Sequence, residues 1–185
     1  LQCLKGEDQS SQPLLAWLST LAVGQGLVLP SVPPATQARR VFERSLIAGL
    51  TQPALVTSVG YNLRGILGAA SAVRDRLSQE HWHLIVSTEA EFFAQRPNDN
   101  GGNGGADDGD YSPLEALRQL ETLSGRTAAM TGQQTDRMTR DDGWRLLSIG
   151  RHLERLGFLA AALEGGLQTG AVFDESGFEA MTGLF

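Results

Sequence analysis

Apolar residues recur along this chain at helical spacing, and proline, glycine and capping residues punctuate them. Ser11-Gln12-Pro13 opens a short apolar run, Leu14, Leu15, Trp17, Leu18 and Leu21, which Gly24 and Gly26 stop. Pro30, Pro33 and Pro34 form a stiff connection into a second helix, from about Ala35 to Ala48 and ending at Gly49. From Pro53 the pattern strengthens: Val56, Val59, Leu63, Ile66, Ala70, Val73 and Leu77 are spaced 3-4-3-4-3-4. That spacing predicts one seam along a helix of about 22 residues, or about 33 Å. Ser78 is placed to cap a following helix that carries Trp82, Ile85, Val86 and Phe93.

Arg96 to Tyr111 interrupts the pattern with five glycines and four aspartates and no core-forming residue, which predicts a flexible insert. Ser112-Pro113-Leu114-Glu115 restarts a helix with a capping box and proline at its first position. Its apolar positions include Leu114, Leu117 and Leu120. A last long helix, capped by Asp141 or Asp142, carries Leu146, Ile149, Leu153, Leu156, Ala160, Leu163 and Leu167, again at 3-4-3-4-3-4. Gly165 and Gly166 weaken its end. No segment reads as a strand. The prediction is all-α, a bundle of about five to six helices with short connections. Two seams of period 3.5 favour helices crossing at about +20°. A coiled-coil dimer is the competing reading, and frequent Pro and Gly punctuation favours the intramolecular bundle.

Composition narrows the partners. The chain has 185 residues, 41% apolar and 19% charged, which is globular. Its net charge is −6, so it lacks the basic footprint of a non-specific nucleic-acid binder. Of its basic residues fourteen are arginine, and Lys5 is the single lysine. No apolar run approaches the roughly 18 residues that would span a bilayer. Cys3 is the only cysteine, which rules out an internal disulfide and fits a reducing, cytoplasmic setting. The chain opens without an initiator Met or a leader and ends in a semi-apolar stretch. Residues 1–185 therefore read as a single domain cut at both ends, with 1–11 frayed and 96–111 as the insert.

The last helix brings charge towards its core. Opposite its leucine seam lie Trp144, Leu147, Phe158 and Ala162, also apolar, so the helix is expected to be central and buried on two sides. Arg151, Glu154 and Arg155 fall within that second face. Two guanidiniums and one carboxylate leave a positive balance there, which a carboxylate from another helix or a bound anion would answer. The first answer is an ion-pair network that sets register; the second is a substrate site. Arg74, at the edge of its helix's seam, is the better candidate to join the cluster. Arg64 lies on the flank, and Arg76 faces away. Gly143, Gly150 and Gly157 share one stripe of the last helix, which suits close packing of a neighbouring helix or access for a ligand.

Other chemistry is thin. His81 and His83 diverge on a helix, and His152 has no zincin-spaced partner. The Asp-Gly stretch matches neither an EF-hand nor a calcium-binding repeat. No phosphate loop and no nucleophile elbow occurs. The sequence predicts no catalytic set, no metal site and no cofactor.

The residues of the charged helix also carry a resemblance. Met138-Thr139-Arg140-Asp141-Asp142-Gly143-Trp144-Arg145, followed by Gly150-Arg151-His152-Leu153-Glu154-Arg155, resembles the C-terminal signature of the alpha-E domain, a bacterial all-helical family named for its Glu-Arg motif. Ala72-Val73-Arg74-Asp75-Arg76-Leu77-Ser78 with Trp82 resembles the family's central helix and turn. Ser124-Gly125 resembles the branch fused to circularly permuted ATP-grasp ligases. Residues from about 50 to 168 align in order. The family's earlier W-x-G-R-x-x-E-R helix is not found; Arg40, Glu43 and Arg44 repeat only its charge spacing. The resemblance implies a domain without its first helix and without that helix's partner for Arg151, Glu154 and Arg155. It further implies an accessory or substrate-binding role in an ATP-grasp-linked peptide or amide ligase system, not catalytic alone. The ligase domain would lie in the same or a neighbouring chain, and an acidic peptide or phosphate-bearing ligand would meet Arg64, Arg74, Arg140, Trp144, Arg151, Glu154 and Arg155. The alternatives are an enzyme with Glu154 as general base, acting on a carboxylate or phosphate substrate, and a purely structural bundle.

Overall fold

The computed structural model describes residues 11–52, 54–94 and 112–184. Seven α-helices occur among them: α1 (Gln12–Gly24), α2 (Ala35–Leu50), α3 (Val59–Ala72), α4 (Gln79–Ala94), α5 (Pro113–Arg137), α6 (Asp142–Thr169) and α7 (Glu175–Thr182). Two 3-10 turns, Arg74–Arg76 and Ala171–Phe173, connect them. The described residues contain no strand, so the chain is all-α, as its periodicity predicts. The additional helix, α7, lies in the C-terminal stretch and starts at Asp174, whose carboxylate accepts the Gly177 N–H at 2.9 Å. Residues 1–10 of the expected frayed end and the 96–111 insert lie outside the described residues. Ser11 does not fray. It caps α1, accepting the Leu14 N–H at 3.2 Å.

The chain divides into two compact units, Leu1–Leu46 with Arg140–Phe185, and Ile47–Thr139. In the second unit α3, α4 and α5 run antiparallel. Ala70, Ile85 and Met130 are its buried apolar centre, with Leu67, Leu77, Trp82 and Leu84 against them. Gly60 sets the closest approach, since a Cβ there would lie 3.1 Å from the Phe93 ring and from the Thr51 carbonyl. The seam expected from Pro53 to Leu77 is a shorter helix. Ser58 in extended backbone caps α3, accepting the Tyr61 N–H at 3.0 Å and donating to the Gln52 carbonyl at 2.6 Å. Val56 therefore precedes the helix, while Val73 and Leu77 belong to the turn into α4, whose Ser78 cap accepts the His81 N–H at 3.1 Å. A periodic stripe does not distinguish a helix from a helix followed by a 3-10 turn of similar phase.

α5 corrects another expectation. Its buried residues are Ala116, Gln119 and Met130, while Leu114 is exposed. The packed stripe runs through 116, 119, 123, 126 and 130, so polar Gln119 and Arg126 hold seam positions that the leucine pattern concealed.

In the first unit α1 is central. It is apolar on several sides and serves two clusters. Leu15 and Ala22 pack with Val28, Ala35 and Phe42; Leu14 and Trp17 pack with Ala162, Ala171 and Met181. Buried Ser19 ties α1 to α2, donating to the Leu15 carbonyl at 2.8 Å and accepting the Ala35 N–H at 2.9 Å. The Ser11 hydroxyl also donates to the Asp174 carboxylate, so the caps of α1 and α7 are linked across 163 positions.

Candidate functional site

The site expected on α6 was to be a charged patch inside a helix buried on two sides. The structure places it differently. Asp141 caps α6, accepting the Trp144 N–H at 3.0 Å, and Gly170 at φ 77° ends it. The helix is buried only over its C-terminal third, at Ala162, Gly165 and Gly166. There the absence of bulk lets the large apolar groups in. A Cβ on Gly165 would lie 3.4 Å from the Trp17 ring, and one on Gly166 would collide with the Met181 methyl. Trp17 is 1% exposed and its Nε1 donates to the Ala162 carbonyl at 2.8 Å. Gly165 and Gly166 thus serve close packing and do not end the helix.

At 100° per residue the buried Ala162 lies opposite the leucine seam. The seam is the open face: Leu146 is 70% exposed, Leu153 63% and Leu156 66%. Burial of an indole and a thioether against a patch of small residues decides which side of α6 packs within the unit, because the leucines find no partner there. Gly150 and Gly157 also face open space, with nothing within 4 Å of an added Cβ. Close helix packing over that stripe, the first explanation for these glycines, is not what the unit contains.

Arg151 is half-buried and partnered, whereas Glu154 and Arg155 are exposed. The exposed pair escapes the desolvation that would demand a compensating ion. Arg140 stacks over Trp144 at 5.3 Å from the ring centroid, and Arg145 reaches Asp142 at 3.3 Å. Five of the seven expected site residues, Arg140, Trp144, Arg151, Glu154 and Arg155, therefore share the first 14 residues of α6 and its approach.

Arg64 and Arg74 belong to the other unit and have work there. Arg74 lies over Trp82 at 5.1 Å and donates to the Leu77 carbonyl at 3.2 Å, closing the α3–α4 turn. Arg64 lies over Phe93 at 4.6 Å and reaches Glu89 at 3.8 Å. These contacts are those of positioned structural arginines. Among the described residues no helix is long and apolar enough to cross a membrane, and no three His, Cys, Asp or Glu side chains gather as a metal-ligand group.

Among the described residues three groups have displaced acidities, Glu80, His81 and Asp174, and the Glu80 carboxyl is held low first by its own backbone N–H and then by the Ser78 hydroxyl. The Ser11 hydroxyl, then the Gly177 N–H, hold the Asp174 carboxyl below its ordinary value. Burial holds His81 below the ordinary imidazole range, and its Nε2 is buried without a partner. Sequence reasoning passed over Gln119, whose Oε1 is also buried and unpartnered. The available signal was its place on the 116–130 stripe.

Three uncharacterized proteins match: Rv2567 of Mycobacterium tuberculosis (strain ATCC 25618 / H37Rv), Mb2597 of Mycobacterium bovis (strain ATCC BAA-935 / AF2122/97) and MT2643 of Mycobacterium tuberculosis (strain CDC 1551 / Oshkosh). Each is 30% identical over 114 residues, which is 60% of this chain and 12% of the relative. The chain thus spans about an eighth of the length of these curated relatives. No solved structure matches it. The Alpha-E family model, described as a predicted alpha-helical domain with a conserved ER motif, matches residues 1–183. With its all-helical fold and the Glu154-Arg155 pair on the open stretch of α6, this chain belongs to the Alpha-E family.

Proposed function

We propose that this chain is the helical accessory module of an ATP-grasp-linked peptide or amide ligase system, acting in the bacterial cytoplasm and not catalytic alone. One observation carries the reading: before its packed C-terminal third α6 is exposed on both sides, with an apolar stripe of Leu146, Ile149, Leu153 and Leu156 on one and Glu154 and Arg155 on the other. An exposed apolar stripe of this kind is the composition of a recognition surface. The α6 arginines suit a carboxylate or phosphate, or an acidic segment of the ligase domain. A general base would be expected in a desolvated cleft, and Glu154 lies on the surface. Docking is therefore favoured over catalysis by this helix.

The test uses this chain together with the proposed ligase domain, whether that lies in the same or a neighbouring chain. Arg155→Met and Leu153→Asp are each compared with the parent for melting temperature and for ATP-dependent ligation. Both substitutions lie on an exposed face, so the melting temperature is expected to change by no more than about 2 °C. Ligation is expected to fall at least tenfold. Full activity in both variants would contradict the proposal.

A further inference from the structure

α7 packs within the first unit by one side only. Gly177 and Met181 are buried. At 100° per residue Glu175, Phe178, Glu179 and Thr182 fall together on the opposite side, and all four are exposed. Phe178 is 55% exposed, and the turn that leads into α7 exposes a second ring, Phe173, at 83%. The outer face of this helix therefore carries an aromatic ring beside two carboxylates. Residues 156–185 contain Glu164, Asp174, Glu175 and Glu179 and neither lysine nor arginine, so no cation on the same stretch balances them. Asp174 is engaged by the Ser11 hydroxyl and the Gly177 N–H. Glu175 and Glu179 form no ion pair among the described residues.

The same combination of acid and ring is occupied elsewhere in the chain. On α4, Glu89 and Phe93 stand one turn apart, and Arg64 of α3 meets both. Its guanidinium carbon is 4.6 Å from the ring centroid and its Nε 3.8 Å from the Glu89 carboxylate. That arginine side chain stays 54% exposed, so the pair holds a guanidinium at the surface. The ring attracts a cation through its quadrupole and the carboxylate through its charge, and a planar guanidinium can meet both at once. On α7, Glu175 and Phe178 are also one turn apart, with the acid first, and Glu179 follows the ring. A carboxylate or phosphate would be repelled there. An uncharged apolar segment would have to desolvate two carboxylates without compensation.

We propose that the outer face of α7 docks an arginine-bearing segment of a partner protein. The guanidinium lies over the Phe178 ring and pairs with the Glu175 and Glu179 carboxylates, as Arg64 does with Phe93 and Glu89. The proposal rests on α7 alone and is independent of the role given to α6.

The experiment titrates the whole chain with the peptide acetyl-Gly-Arg-Gly-Arg-Gly-amide at low ionic strength and follows the backbone amide NMR signals of residues 173–182. The same peptide with lysine in place of arginine keeps the charge without the planar group; with citrulline it keeps the shape without the charge. Exposed contacts of this kind limit the arginine peptide to a dissociation constant on the order of 1 mM. Saturable shifts on α7 are expected with arginine, binding about threefold weaker with lysine, and no shifts with citrulline. Phe178→Leu and the double variant Glu175→Gln, Glu179→Gln change exposed positions only. Each is expected to keep the parent melting temperature within about 2 °C and to weaken arginine binding at least about threefold. No saturable shift on α7, a response to lysine or citrulline as strong as that to arginine, or unchanged affinity in both variants would overturn the proposal.

Discussion

Glycine in the middle of a helix tests whether the face it lies on is covered. Gly150 and Gly157 lie inside α6, and a Cβ at either position would meet nothing within 4 Å. With no collision, replacing glycine by alanine removes only the conformational cost of glycine, about 0.8 to 1 kcal/mol per site. The two positions are seven residues, or about 10 Å, apart, so their effects should nearly add, to about 1.5 to 2 kcal/mol. For a chain of this size that is about 2 to 4 °C of melting temperature per substitution. The assay is thermal and denaturant unfolding of Gly150→Ala, Gly157→Ala and the double variant, followed by far-ultraviolet circular dichroism. Were another backbone packed over this stripe, the added methyl groups would overfill it, at about 1 to 3 kcal/mol each in the opposite direction. The sign therefore decides. A lowered melting temperature in either single variant refutes the open face.

Other outcomes follow from the packed regions. At Gly177 an added Cβ would collide with the backbone carbonyl of Ala171, whereas at Gly166 it would meet mainly the mobile end of Met181. Gly177→Ala should thus lower the unfolding midpoint well beyond Gly166→Ala, by about 2 to 3 kcal/mol or more; equal effects would show that the Ala171–Gly177 contact is loose. Trp17→Phe loses the hydrogen bond to the Ala162 carbonyl at a cost of about 1 kcal/mol, while Trp17→Ala should cost about 3 to 5 kcal/mol. Buried His81, with its pKa lowered by desolvation, binds its proton less readily folded than unfolded. Below its unfolded value of about 6.5 the unfolded state takes up the proton first, so its contribution to stability is full above that pH and lost as pH falls towards the folded value. The slope from this one group is at most about 1.4 kcal/mol per pH unit, and His81→Gln should flatten stability measured between pH 7.5 and 5.

Much of the fold can be read from the sequence because caps and periodicity are local. Ser11, Ser58, Ser78, Ser112 and Asp141 each cap a helix through a side chain two or three residues from the backbone N–H it accepts. What periodicity does not contain is which of two apolar faces finds a partner. On α6 the leucine seam is the stronger pattern, yet Ala162, Gly165 and Gly166 on the other side carry the packing. Their fit to Trp17 and Met181 depends on residues about 145 positions earlier and 15 later. On α5 the same blindness hid Gln119 and Arg126, since polar residues in a seam read as solvent-facing until the opposite helix is in place. The Arg151, Glu154 and Arg155 cluster was found by its spacing, but its burial was inferred from a face that proved open.

Thiol labelling of α6 tests the central claim most directly. In a Cys3→Ser background, Leu153→Cys and Ala162→Cys place single thiols at sites that are 63% and 0% exposed. The account predicts that the thiol at 153 reacts with a small disulfide reagent at nearly the rate of an unstructured peptide. The thiol at 162 should react at least about a hundredfold more slowly, limited by opening of the unit. Protection of position 153 comparable to that of position 162 would contradict the claim that the leucine seam is the open face of α6.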